Sequence, residues 1–99
     1  VGTDVLETAQ RELQEETGLT AGRFTLLGRL HLSNSATDEE AFLYVAEDLQ
    51  QGDHAPEETE QLQIRKVPLP EAVQMAADGR ITDAMSVAAL LWLARLRGL

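Results

Sequence analysis

The chain contains no cysteine, which excludes disulfide bridges and thiolate metal centres. Long hydrophobic runs are missing too. None reaches the roughly 18 residues needed to cross a membrane, and no segment reads as a secretory signal. Basic residues are scarce, 8 against 17 acidic ones, for a net charge of −9. That balance disfavours binding to a polynucleotide backbone. A small phosphate ligand stays compatible with it, because a bound cation reverses the local charge. The chain also lacks a glycine-rich phosphate loop and a Ser-His-Asp arrangement. Ninety-nine residues allow at most one domain, with a modest core. A hydrophobic content of 43%, in patterned segments, argues that the chain folds. A cytoplasmic enzyme is the expectation.

What the chain does have is Arg11-Glu12-Leu13-Gln14-Glu15-Glu16-Thr17-Gly18-Leu19. The pattern predicts a helix over 4–17, with Asp4 and Glu7 forming a capping-box-like start and Leu6, Ala9 and Leu13 a buried stripe. On such a helix Glu12 and Glu16 lie one turn apart on one face, with Glu15 beside them. Carboxylates so close repel one another unless a cation sits among them, and hard oxygen donors suit Mg²⁺ or Mn²⁺. Arg11, four residues before Glu15, is placed to hold it by a forked hydrogen bond. Gly18 is placed to end the helix in the left-handed conformation. Acidic runs on helices are more often solvated faces. Here the preceding Arg11, the aliphatic Leu13 and the Gly18-Leu19 ending favour a metal site instead.

This stretch is similar to the second half of the Nudix box, R-E-U-x-E-E-x-G-U, with U aliphatic, and fits every specified position. The resemblance implies a Nudix-type α+β fold, an α/β/α sandwich with a mixed sheet. It implies divalent metal on this helix and hydrolysis of a nucleoside diphosphate linked to another group. The full box has an earlier Glu where this chain has Thr3, and its opening Gly would precede Val1. Residues 1–99 are therefore expected to be the C-terminal part of one Nudix domain, without its first strands. Thr3 puts full activity in doubt more than metal binding.

Downstream, strands are expected over 24–32 and 41–46, the second buried on both faces. A turn at 20–22, an acidic loop over 47–59 and a third strand over 61–67 complete the middle. Helices are expected over 70–78, with Pro70 first, and over 83–97, with Thr82 as cap. Tyr44 to Leu49, Glu60-x-Leu62-x-Ile64, Val67-Pro68-Leu69 and Gly79 to Ala84 resemble the ADP-ribose and nucleotide-sugar pyrophosphatase branch. That resemblance implies a loop acid, sought in Glu57-Glu58-Thr59-Glu60. Glu58 is the expected base and Glu60 a further metal ligand or its neighbour. Which of Glu57, Glu58 and Glu60 is the base stays open, and a solvated loop is the competing reading. Ser33-Asn34-Ser35 stands where ADP-ribose enzymes commonly carry Pro-Gly, which leaves other nucleoside diphosphate sugars open. Glu12, Glu15 and Glu16 are the expected ligands, with Glu15 and Arg11 also counted in the catalytic set. A nucleotide-binding module without turnover is the alternative. His31 and His54 are expected to be structural or solvated. The last helix is apolar nearly all round, and enzymes resembling this branch are usually homodimers, so the intact protein is expected to be one.

Overall fold

A computed structural model describes residues 4–32, 39–52 and 64–99. The order is helix α1 (Val5–Thr17), strands β1 (Leu19–His31) and β2 (Glu40–Gln51), then helices α2 (Leu69–Ala77) and α3 (Ala84–Arg97). The fold is thus α+β, as expected, and among the described residues the sheet consists of one antiparallel pair, β1 beside β2. The chain gathers into two compact units, Val1–Leu26 with Tyr44–Ile64 and Leu27–Leu43 with Arg65–Leu99.

In the first unit, the Asp4 carboxylate accepts from the Leu6 and Glu7 amides and starts α1. Leu6, Ala9 and Leu13 form the expected stripe but are only half-buried. Gly18, at φ 75°, ends the helix, and its N–H donates to the Gln14 carbonyl. That one left-handed residue reverses the chain, so β1 begins at Leu19 and the turn expected at 20–22 is strand. β2 likewise continues through residues 47–51, where a loop was expected. Arg23 Nε meets Glu47 Oε1 across the pair at 3.3 Å, and Phe24 and Tyr44 meet edge to face at 6.2 Å between centroids.

In the second unit, β2 does not bury both faces: Ala41 and Leu43 are buried while Phe42 between them is 37% exposed. Successive side chains of a strand point to opposite faces, so Ala41 and Leu43 share one face and Phe42 takes the other. α2 packs on α3, and the buried residues there are the small Ala76 and Ala94. Pro70 stands in the first turn of α2, one place later than expected. α3 is capped by Asp83 instead of Thr82; its carboxylate accepts from the Ser86 amide at 3.0 Å and the Ser86 hydroxyl at 2.7 Å. These bonds hold the Asp83 carboxyl below the usual aspartate range, and a charged acceptor suits a helix N-terminus better than a hydroxyl. The expected third strand does not form over its described part. Residues 64–67 are irregular, Arg65 reaches Glu71 instead at 3.8 Å, and Pro68 has no N–H to donate to a ladder. Residues 61–63 lie outside the described set.

Trp92 of α3 lies over Gly28 of β1. A methyl group at Gly28 would overlap the Trp92 ring. Gly28→Ala should therefore displace the indole and destabilise the fold by about 1–3 kcal/mol, as overpacking does. Denaturant unfolding followed by Trp92 fluorescence would measure it; a loss under about 0.5 kcal/mol would contradict the close approach.

Candidate metal and catalytic site

The site begins with the last two turns of α1. Helical geometry puts Glu12, Glu15 and Glu16 within an arc of about 100° that borders the stripe of Leu6, Ala9 and Leu13, with Glu16 about 20° from Ala9. Glu12 and Glu15 are exposed and Glu16 is half-buried. The partial burial of Glu16 matches its place at the edge of that stripe.

Arg11 does reach Glu15, but not as a fork. The Nε–Oε1 separation is 4.0 Å, an ion pair beyond hydrogen-bond distance between two well-exposed side chains. Both groups are solvated, which weakens the drive to a tight bidentate pair. Arg11 faces a second feature. An open cavity of about 370 Å³ is lined by Glu7, Gln10, Arg11, Gln14, Thr20, Ala21 and Phe24. None of the three carboxylates lines it. Arg11 thus stands between the carboxylate side of α1 and this cavity.

Among the described residues, no group of three or more His, Asp or Glu side chains converges as a metal cage. Glu12, Glu15 and Glu16 share a helix side without forming one. The donor chemistry still fits a hard divalent cation: three carboxylates within five residues, all oxygen, with no soft ligand nearby. Mg²⁺ in particular takes one or two carboxylates and completes its shell with water and phosphate oxygens, so two helix ligands suffice. Glu57, Glu58 and Glu60 lie outside the described residues, as do Thr3 and His54. His31 is exposed on β1, with Nε2 3.9 Å from Glu40.

One feature of the site is not signalled by the motif. The Gly18 carbonyl accepts from the Gly52 amide at 2.8 Å and from Gln51 Nε2 at 3.4 Å. The end of the acidic helix is thus bound to the end of β2. Gly52 is a loop glycine by sequence, and a contact 34 residues away in the chain leaves no local pattern.

Comparison with known proteins bears on these residues. The NUDIX domain model matches residues 1–90. The ADP-ribose pyrophosphatase of Bacillus subtilis (strain 168) is 32% identical over 88 residues, covering 87% of this chain and 48% of that protein. The ADP compounds hydrolase NudE of Escherichia coli (strain K12) is 33% identical over 89 residues, covering 90% and 48%. The methanol dehydrogenase activator of Bacillus methanolicus is 35% identical over 94 residues, covering 93% and 51%. A crystal structure of an ADP compounds hydrolase superposes with a TM-score of 0.81 at 32% identity, covering 98% of this chain and 53% of that one. The chain spans about half the length of the relatives it matches.

If Glu16 is a ligand, Glu16→Gln keeps its volume and removes its charge. Mn²⁺ affinity of the intact protein, measured by calorimetry, should fall at least about tenfold. Unchanged affinity would remove Glu16 from the ligand set.

Proposed function

This chain belongs to the Nudix family, and from that premise we propose that the intact protein is a divalent-metal-dependent pyrophosphatase. Its substrate would be ADP-ribose or a related nucleoside diphosphate sugar, and its products a nucleoside monophosphate and a sugar phosphate. The observation that carries the reading is α1 itself: an uninterrupted Arg11-Glu12-Leu13-Gln14-Glu15-Glu16-Thr17-Gly18-Leu19, helical through Thr17 and closed by left-handed Gly18. The relatives named for ADP-ribose and ADP compounds support the substrate class.

In this reading Glu12 and Glu16 hold Mg²⁺ or Mn²⁺, and Glu15 binds or bridges. The cation, when bound, neutralises pyrophosphate oxygens and acidifies water. Arg11 orients Glu15 through their ion pair. Glu58 takes the proton from the attacking water, and Glu60 adds a ligand. No helix among the described residues is long and apolar enough to cross a membrane. A second reading, nucleotide binding without turnover, is favoured by Thr3 at the place of the early Glu of the box. Turnover of a nucleoside diphosphate sugar by the intact protein separates the two.

Glu58→Gln keeps size and hydrogen bonding but removes the proton acceptor. It should lower kcat roughly 10²–10⁴-fold with little change in KM or metal affinity. Glu60→Gln should lose activity that added Mg²⁺ partly restores. Near-wild-type kcat in both variants would show that the segment is a solvated acidic stretch and that the base lies elsewhere.

The intact protein is also proposed to be a homodimer. Met85, Leu91 and Leu96 of α3 are 43%, 41% and 65% exposed, on a helix with apolar residues on more than one side. Such a helix is stable when most of its sides are covered. Light scattering at micromolar concentration should give twice the chain mass; a monomer mass would contradict it.

A further inference from the structure

We infer that the Gly18 carbonyl and the Gly52 amide form a clasp that positions the metal-bearing turn of α1, with Gly52 and Gln51 as positioning residues. The inference rests on the reading of Glu12 and Glu16 as metal ligands. Three sets of hydrogen bonds, five bonds in all, hold the end of this helix. The Thr17 hydroxyl donates to the Leu13 carbonyl and accepts from the Leu19 amide. The Gly18 amide donates to the Gln14 carbonyl at 2.8 Å. The Gly18 carbonyl then accepts from Gly52 at 2.8 Å and from Gln51 Nε2 at 3.4 Å. The first two sets lie within the local chain. The third comes from the end of β2 and fixes the turn in space.

Gly52 is glycine because of this contact. It is absent from the residues with positive φ, so its backbone would accept an L side chain. A Cβ there would instead stand 2.9 Å from the Gly18 carbonyl oxygen. That atom is backbone, inside a buried turn, and has no free rotation with which to move aside. An added methyl must push Gly18 by a few tenths of an ångström. Glu16 lies two residues before Gly18 and moves with it. Metal geometry is sensitive to shifts of that size, above all for Mg²⁺, which demands near-octahedral placement.

The test is Mn²⁺ binding to the intact protein by calorimetry, with thermal unfolding run alongside. Gly52→Ala should weaken Mn²⁺ about 10–100-fold, the scale seen when a residue that orients a metal ligand is changed. Gly98→Ala is the control. It forces a methyl onto the left-handed cap of α3, at φ 70°, so it lowers stability away from the clasp and should leave Mn²⁺ affinity unchanged. Wild-type affinity in Gly52→Ala would overturn the inference. So would equal weakening in both variants, which would mark a loss of stability alone. If Gly52→Ala does not fold, Gln51→Ala removes one donor from the same carbonyl without adding an atom. It should weaken Mn²⁺ several-fold, and an unchanged affinity overturns the clasp. Equal affinity in wild type and Glu16→Gln, by contrast, is a failure of the metal assignment itself, and the clasp falls with it.

Discussion

Much of this chain's first unit depends on one carbonyl oxygen. Gly18 turns left-handed, which ends α1, and its carbonyl then receives the Gly52 amide. A left-handed residue costs about 1–2 kcal/mol for any side chain with a Cβ, so glycine is the natural occupant. The bond it permits is between elements distant in sequence. The turn ends the acidic helix, starts β1 without a loop, and ties both to the end of β2.

The helix and its motif were legible in sequence because they are local. Spacing of three and four placed Glu12, Glu15 and Glu16 on one side, and Gly18 marked the end. The open form of the Arg11–Glu15 pair was not legible, since solvent exposure decides between a fork and a loose ion pair. Strand lengths were underestimated for a similar reason. Thr20-Ala21-Gly22 carries turn residues, and Glu47 to Gln51 is acidic and polar, yet each segment gains ladder bonds from the other. Pairing partners outweigh local propensity in strands. The same principle ran the other way at residues 64–67, where alternation suggested a strand and a following Pro68 limits the ladder.

Contacts that bring glycines against other groups were invisible beforehand. Gly28 reads as a weak point in a strand, but it is the place where the Trp92 ring lies against the backbone. Asp48, at φ 58°, adopts a left-handed conformation within β2, which no residue pattern announced. Aspartate tolerates that region better than most residues because its short carboxylate can bond locally. At Gly28 the residue type is a consequence of tertiary approach, whereas at Asp48 it follows from what a left-handed backbone tolerates.

The proposed handling of a pyrophosphate by so acidic a chain looks contradictory until the charges are placed. A net charge of −9 repels a phosphate ester at long range. The carboxylates of α1 concentrate that charge on one side of a helix, near its C-terminus, where the helix dipole is itself negative. These carboxylates and the helix dipole favour a cation over an anion there, with Arg11 beside Glu15 as a partial counterweight. With a divalent ion held there, the local sign reverses over a few ångströms while the rest of the surface stays acidic. In the proposed reading that reversal would confine phosphate binding to the metal, while a polyanion such as nucleic acid would still lack the extended basic surface it needs. On that reading the acidic balance that disfavours one class of ligand would make the metal the gate for another.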